Sequence, residues 1–119
     1  MKIVYASRSG NVEKFVEKLG VTDAMKVKLG TETIDEDYII ITYTDGSGIV
    51  PPIVETFLNY NSDHVRAVAC SGDNDRHPDT FCFAANVIAE KYGVPVVETF
   101  HKDGDDVNVK KVKAFLDEN

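Results

Sequence analysis

The amino-acid sequence predicts an α/β fold, in which a parallel sheet is covered by helices on both faces. Strand-like runs alternate with amphipathic helical segments along the chain, which is typical of a doubly wound sheet. Residues 38–43 are almost all apolar or β-branched, as expected for a strand that is buried on both faces. The length of 119 residues, 43% of them hydrophobic, supports one packed domain spanning residues 1–119.

The first strand and helix are predicted near the N-terminus. Residues 2–6 form a short apolar run, and apolar residues at helical spacing follow before Gly20, which is suited to ending a helix. This stripe comprises Val12, Phe15, Val16 and Leu19. Residues 25–29 predict a weaker, edge-like strand, because Lys26 and Lys28 alternate with its apolar residues.

The connection from the second strand to the third is too short for a covering helix. Only eight residues, 30–37, separate Leu29 from Tyr38. The mean α-helix alone takes about 11 residues. We therefore expect a shortened, largely irregular crossing at this point.

The remaining elements repeat the alternation of strand and helix. Further strands are predicted at residues 65–70 and from Val94 onward, and Pro51 and Pro52 suit the first turn of a helix. Gly93 is placed to end the third helix. The apolar stripes comprise Ile53, Val54, Phe57 and Leu58 in the second helix, Phe81, Ala84, Ala85, Val87, Ile88 and Tyr92 in the third, and Val109, Val112, Phe115 and Leu116 in the fourth.

The charge balance restricts the class of partner. The chain carries 13 Lys+Arg against 20 Asp+Glu, a net charge of −7, whereas proteins that bind nucleic acids or anionic membranes usually present a basic face. No apolar run in the sequence is long enough to span a bilayer. Cys70 and Cys82 match no zinc or CxxC spacing, and the histidines are scattered. We therefore expect reduced core thiols, no metal site and a cytoplasmic protein.

Ligand chemistry is expected in the loops beyond the carboxyl ends of the strands, where open parallel sheets bind ligands. Residues 7–11 join the first strand to a helix N-terminus, so their N–H groups and hydroxyls suit a phosphate. An ordinary capping turn explains the same residues equally well. Arg8 either adds charge to a phosphate contact or is simply solvated.

Two further loops favour a flat ligand. Residues 44–51 contain Gly46 and Gly48, which allow a ring to lie against the main chain, and residues 71–78 would form the opposite wall. Each stretch also fits an ordinary loop or turn. The first strand is not followed by a GxGxxG motif or a Walker A lysine, and no GxSxG elbow occurs. What remains is a pocket for a phosphate and a flat ring, built mainly from backbone.

These loops resemble those of the flavodoxins, in particular the NrdI proteins, the flavodoxins associated with class Ib ribonucleotide reductase. The resemblance covers essentially the whole chain and includes the shortened second connection. It implies a flavodoxin-like, five-stranded parallel sheet with strand order 2-1-3-4-5. The motifs that carry it are residues 7–12, 42–51, 69–72 and 91–95, and Phe100 followed by Gly104.

The resemblance implies flavin mononucleotide (FMN) as the cofactor. The residues implied for its phosphate are Ser7, Arg8, Ser9, Gly10, Asn11 and Val12; for the edge of the isoalloxazine ring, Tyr43, Thr44, Asp45, Gly46, Ser47 and Gly48; and for its pyrimidine side, Ser71, Gly72, Asp73 and Phe81. A catalytic role falls to Gly46 and Ser47. Their shared peptide would flip on reduction, so that its carbonyl accepts a hydrogen bond from the flavin N5–H.

The resemblance further implies a redox accessory protein rather than a substrate-turning enzyme. The reduced flavin would react with molecular oxygen and pass a superoxide-type oxidant to the reductase small subunit. That oxidant would assemble a dimanganese centre and a tyrosyl radical in the partner, and an unidentified flavodoxin reductase would supply the electrons. Two alternatives stay open. The short chain disfavours a general electron-transfer flavodoxin, and the phosphate loop disfavours a flavin-free interaction module of the same fold.

Overall fold

The computed structural model describes residues 1–46 and 48–119, and within this part five parallel strands form one sheet in the order β2-β1-β3-β4-β5. The strands are β1 (Lys2–Tyr5), β2 (Met25–Lys26), β3 (Tyr38–Tyr43), β4 (Val65–Gly72) and β5 (Val96–His101). The helices are α1 (Asn11–Leu19), α2 (Pro52–Tyr60), α3 (Phe83–Tyr92) and α4 (Asp106–Glu118), with a short 3₁₀ turn at Pro78–Thr80. The predicted fold class and strand order are confirmed. Ser47, one of the two residues assigned a catalytic role, lies outside the described residues.

The sheet separates two apolar layers, because successive side chains of a strand point to opposite faces. Ile39 and Ile41 of β3 pack in the layer that contains α1 and α4, whereas Tyr38 and Ile40 pack in the layer that contains α2 and α3. All four side chains are fully buried. The predicted burial of this strand on both faces is therefore confirmed, and both layers reach the carboxyl edge of the sheet.

Two strands differ in extent from their sequence patterns. The edge strand β2 has two residues rather than five, because the backbone N–H groups of Lys28 and Leu29 bond to the Glu32 carboxylate instead of a neighbouring strand. The last strand begins at Val96 rather than Val94. The Val94 N–H is bonded to the Ala89 carbonyl at the end of α3, at 3.2 Å.

The third helix also begins later than its apolar pattern predicts. Phe81 precedes the helix, since the 3₁₀ turn at Pro78–Thr80 occupies the preceding residues. Val87 lies beside the buried stripe of Ala84 and Ile88 and is 48% exposed. The predicted end at Gly93 agrees with the structure.

The connection between β2 and β3, hereafter the link (residues 27–37), contains no helix, as predicted. Its fold depends on one carboxylate: Glu32 accepts the N–H groups of Lys28, Leu29 and Gly30 at 2.8–3.0 Å. Partial burial raises the pKa of Glu32, but these hydrogen bonds outweigh it and lower the pKa from 4.5 to about 2. The charged carboxylate therefore replaces the internal bonding that a helix would have supplied.

Asn61, the residue that follows α2, fixes the link to the rest of the domain. Its side-chain Nδ2 donates to the carbonyls of Glu32 and Phe57, and its Oδ1 accepts the Ile34 N–H, all at 2.9–3.0 Å. Its own carbonyl accepts the Tyr38 hydroxyl at 2.9 Å. Asn61 is only 5% exposed, so these bonds are protected from water.

Candidate functional site

The loops that follow β1, β3 and β4 enclose a cavity of about 450 Å³ at the carboxyl edge of the sheet. This position lies between β1 and β3, where the strand order reverses and open α/β sheets bind ligands. The lining residues are Arg8, Ser9 and Asn11 from the first loop, Tyr43, Thr44, Asp45 and Gly46 from the second, and Ser71, Gly72, Asp73, Arg76, His77, Thr80, Phe81 and Cys82 from the third.

Helix α1 begins beside this cavity and offers donors for an anion. Among the described residues, the backbone N–H groups of Asn11 and Val12 have no hydrogen-bond partner. The positive end of a helix dipole and unpaired N–H groups together favour negative charge. The Ser9 hydroxyl and the Arg8 guanidinium lie in the same loop, so this end of the cavity suits a phosphate.

Three residues assigned to this loop from the sequence do not line the cavity. The Ser7 hydroxyl accepts the Glu13 N–H at 3.3 Å, so Ser7 acts as a helix cap. The Val12 side chain is 1% exposed in the core, which leaves only its backbone for a ligand. Gly10 has a φ of +91°, a conformation that favours glycine, and therefore shapes the backbone of the loop.

Arg8 connects the first loop to the second. Its guanidinium forms an ion pair with the Asp45 carboxylate and lies 5.0 Å from the centroid of the Tyr43 ring. All three side chains line the cavity. Burial raises the pKa of Tyr43 above its ordinary value, which keeps the phenol neutral. This wall thus combines a neutral aromatic ring with a cation whose charge is already balanced.

Two backbone hydrogen bonds join Asp45 and Ile49 of the second loop. The Asp45 N–H donates to the Ile49 carbonyl at 2.8 Å, and the Ile49 N–H donates back to the Asp45 carbonyl at 2.9 Å. Gly48 packs against α3 instead of lining the cavity, because a Cβ there would lie 3.0 Å from the Phe83 Cβ. Gly46 lines the cavity, whereas Ser47, which would complete the implied flipping peptide, is outside the described residues.

Asp73 organises the third loop. Its Oδ1 accepts the N–H groups of Asp75 and Arg76, both at 3.1 Å, and its carbonyl accepts the His77 N–H at 2.9 Å. Desolvation raises the pKa of Asp73, but the hydrogen bonds from the Arg76 and Asp75 N–H groups outweigh it. The pKa is therefore below its ordinary value, and the carboxylate stays charged at neutral pH. The loop backbone is therefore ordered by its own carboxylate, while the Arg76 and His77 residues line the cavity.

A set of contacts that we call the clasp (Asn74, Asp75, His101 and Lys102) joins the third loop to the end of β5. The Asn74 N–H donates to His101 Nδ1 at 3.0 Å, and His101 Nε2 lies 3.4 Å from the Asp75 carboxylate. The Lys102 N–H donates to the Gly72 carbonyl at 2.9 Å. The third wall of the cavity is therefore positioned from β5.

Two residues of the clasp, together with Asp73, form the only group within the described part of the chain whose ligand atoms converge enough for a metal ion. The group is Asp73, Asp75 and His101. Both ring nitrogens of His101 already face partners in the protein, since Nδ1 accepts an N–H and Nε2 faces a carboxylate. These residues are therefore explained by loop positioning.

Two free thiols lie at the base of the cavity. Cys82 lines it, whereas Cys70 is fully buried behind it. The Cys82 thiol donates to the Cys70 carbonyl at 3.3 Å, and Cys70 Sγ lies 3.2 Å from the Thr44 hydroxyl. A hydrogen bond from Cys82 lowers the pKa of Cys70, and the same contact with burial raises the pKa of Cys82. The contact between the two residues therefore shifts the pKa values of the two thiols in opposite directions.

The sequence patterns identify the loops better than the individual contacts. The residues assigned from the sequence that line the cavity are Arg8, Ser9, Asn11, Tyr43, Thr44, Asp45, Gly46, Ser71, Gly72, Asp73 and Phe81. Arg76 and His77 were not assigned to the ligand, although their position in the third loop was a usable signal. Thr80 and Cys82 had no such signal, because the helical pattern of α3 gives no indication of the preceding 3₁₀ turn.

The chain is similar to proteins of one named family over nearly its full length. It matches the family model described as NrdI flavodoxin-like over residues 3–114. It is 37% identical over 118 residues to Protein NrdI of Bacillus licheniformis, which covers 99% of this chain and 86% of that relative. It is 36% identical to Protein NrdI of Macrococcus caseolyticus, covering 99% and 90% respectively.

Solved structures share the fold at lower sequence identity. Oxidised flavodoxin 1 from Bacillus cereus aligns with a TM-score of 0.65 at 19% identity, covering 98% of this chain and 94% of that protein. A short-chain flavodoxin associated with a PDU bacterial microcompartment aligns with a TM-score of 0.61 at 17% identity, covering 98% and 93%. At these identities the likeness establishes the flavodoxin-like fold alone.

Proposed function

The chain belongs to the NrdI flavodoxin-like family, and on this premise we propose that it binds FMN and activates the small subunit of a class Ib ribonucleotide reductase. Family and fold imply a flavin cofactor. When bound and reduced, the flavin would react with molecular oxygen and supply a superoxide-type oxidant. The dimanganese centre that this oxidant serves would belong to the partner and not to this chain.

The observation that carries the proposal is that chemically different walls surround one cavity. Its volume of about 450 Å³ falls in the range of small-molecule and cofactor sites, roughly 300–1,000 Å³. The first loop offers N–H groups without a partner among the described residues at a helix N-terminus, and the second and third loops supply backbone and the Tyr43 ring. These groups suit a ligand that combines a phosphate with a flat ring.

At the phosphate end, the chain supplies donors that need no rearrangement. The Asn11 and Val12 N–H groups and the Ser9 hydroxyl would bind phosphate oxygens. Arg8 is paired with Asp45 in the structure and would share its charge with the phosphate. Ser7 and Gly10 support the loop without direct contact, the former as a cap and the latter through its backbone conformation.

At the ring end, backbone groups would orient the cofactor. Thr44 to Gly46 form one wall, and Ser71 and Gly72 form the other. The Ser71 hydroxyl donates to the Lys102 carbonyl, and the Thr44 N–H donates to the Ser71 carbonyl at 3.2 Å, so the two walls are bonded to each other. The Gly46 carbonyl is our candidate for accepting a hydrogen bond from the N5–H of the reduced ring.

The proposed partners follow from the family. A flavodoxin reductase would deliver electrons, and the reductase small subunit would receive the oxidant, both in the cytoplasm. A net charge of −7 suits a partner with basic residues at its docking surface. None of the helices in the described part of the chain combines the length and apolar character required to traverse a bilayer.

Flavin binding is tested first, with two glycine variants that share the same backbone strain. Gly10 and Gly20 both have positive φ, at +91° and +75°, and a Cβ built at either meets no atom within 4 Å. Only Gly10 lies beside the cavity, since Gly20 ends the same helix at its other terminus. Gly10→Val should weaken FMN binding by about 100-fold, equivalent to about 3 kcal/mol of phosphate contacts, and Gly20→Val should not. Stoichiometric FMN in purified Gly10→Val would refute the phosphate assignment.

Activation is tested with the flavin-loaded protein. Reduced protein, Mn²⁺, molecular oxygen and a class Ib small subunit should together yield a tyrosyl radical by electron paramagnetic resonance, and omission of the protein should abolish it. Flavin binding without radical formation would favour a general electron-transfer flavodoxin. Failure to bind any flavin would favour an interaction module.

A further inference from the structure

Two cysteines that the proposed flavin chemistry does not use form a connected pair at the base of the cavity. The Cys82 thiol donates to the Cys70 carbonyl at 3.3 Å, so the two residues are in direct contact. Cys82 lines the cavity, and Cys70 lies behind it against the Thr44 hydroxyl, which belongs to the second loop. The pair therefore bridges the cavity wall and the core.

The backbone at Cys82 has a strained conformation at the start of α3. Its φ is +55°, in the left-handed region, and it occupies the N-cap of α3 without a side-chain hydrogen bond to the helix. Residues other than glycine rarely adopt such a conformation, and helix N-caps usually carry Ser, Thr, Asp or Asn. Strain of this kind concentrates at functional sites. A cysteine at this position thus points to a use for its sulfur.

We propose that Cys70 and Cys82 are a redox-active dithiol, which hydrogen peroxide converts into an intramolecular disulfide. One sulfur, as a thiolate, attacks the peroxide; an S–O bond forms, the O–O bond breaks, and water leaves after protonation. The second sulfur then attacks the first, an S–S bond forms, and the S–O bond breaks with release of a second water. Two thiols are oxidised by two electrons, and one peroxide is reduced to two waters.

The physiological source of peroxide rests on the proposed function, because reduction of oxygen at the cavity would generate partially reduced oxygen species beside Cys82. Disulfide formation would draw the Cys70 sulfur away from the Thr44 hydroxyl and reposition the N-cap of α3. Since Thr44 and Cys82 both line the cavity, we expect the oxidised pair to bind FMN more weakly. The dithiol would then switch the site off when oxidant accumulates.

The first experiment uses the full chain without flavin and adds hydrogen peroxide directly. After alkylation under denaturing conditions, mass spectrometry should show the loss of both free thiols and a mass lower by two hydrogen atoms. Dithiothreitol should restore both thiols. Two alkylated cysteines after exposure, or disulfides only between chains, would overturn the proposal. Because no flavin is present, this result stands apart from the success or failure of the proposed function.

Matched variants test the separate steps of the proposed oxidation. Cys70→Ser and Cys82→Ser should each stop at a sulfenic acid that dimedone traps, whereas the unaltered protein should give no adduct. Thr44→Val keeps both cysteines and should slow disulfide formation by about three- to tenfold, the value of one lost hydrogen bond. Equal rates in Thr44→Val and the unaltered protein would contradict the role of that contact. An unchanged FMN affinity after oxidation would overturn the switch.

Discussion

The link and the loops around the cavity are both irregular, yet they use their backbone polar groups in opposite ways. In the link, the Glu32 carboxylate and the Asn61 amide engage the N–H and carbonyl groups that lack a helix or strand partner. Beside the cavity, the N–H groups of Asn11 and Val12 find no partner among the described residues. Irregular chain is therefore structural where its polar groups are satisfied internally, and available for a ligand where they are not.

The comparison predicts that changes in the link reduce stability, whereas changes at the cavity reduce ligand binding. Asn61→Ala should have the largest effect, because it removes three hydrogen bonds at a site that is 5% exposed. We expect the free energy of unfolding to fall by about 3–5 kcal/mol in urea titrations. The exposed neighbour Asn59, whose amide oxygen accepts the Tyr92 hydroxyl, provides the control, and Asn59→Ala should cost no more than about 1 kcal/mol. Comparable losses in both variants would contradict the role of Asn61.

Glu32→Gln should have the next largest effect and should alter the acid profile. At neutral pH we expect a loss of about 2 kcal/mol, since a neutral amide cannot accept three N–H groups as a carboxylate does. The folded pKa is depressed to about 2 from 4.5, so this contribution is complete above about pH 4.5 and disappears as pH falls towards about 2.

The measurement compares unfolding of the unaltered protein and Glu32→Gln between neutral and acidic pH. The difference between them should shrink as the pH falls. Glu36→Gln, at an exposed position in the same link, should follow the unaltered protein throughout. A difference that stays constant with pH would mean that the charge of Glu32 contributes nothing.

His101→Ala tests the cavity side of the comparison. Loss of the clasp should cost no more than about 1 kcal/mol of stability, because its members are exposed, but should weaken FMN binding by roughly tenfold by loosening the third loop. His101→Gln retains an acceptor for the Asn74 N–H and should recover much of the affinity. If fluorescence titrations give the same FMN affinity for both variants, the hydrogen bond from the Asn74 N–H to His101 does not position the third loop.

Arg8→Ala should have the smallest effect on folding. Its side chain is 62% exposed and its ion pair with Asp45 is solvated, so we expect a change in unfolding free energy within about 0.5 kcal/mol. FMN affinity should nevertheless fall by roughly tenfold, because a charge-assisted contact to the phosphate is lost. A variant that loses stability but keeps its affinity would reverse the assignment.

The features that could be predicted from the sequence depend on residues that lie close together along the chain. The apolar run through Ile39 and Ile41 and the glycines that end α1 and α3 are readable within a few residues, and the missing helix in the link follows from its length. The Ser7 hydroxyl was equally compatible with a phosphate and with a cap, and only the structure shows its bond to Glu13.

The contacts that could not be predicted join residues far apart along the chain. The Asn61 amide reaches Glu32 across 29 positions, and the Asn74 N–H reaches His101 across 27. Neither pair belongs to a repeating pattern, so periodicity and turn chemistry carry no information about them. Such contacts depend on how the finished sheet brings loop ends together.

The separation of the core into two layers also has a consequence for sequence divergence. The stacked rings of Phe15 and Phe100, 3.9 Å apart, lie in the layer of α1 and α4, whereas Cys70 and Cys82 lie in the other. Substitutions without shared neighbours combine almost additively. Each layer can therefore accumulate its own compensating changes, so that homologues can repack the aromatic side while the thiol side keeps its residues.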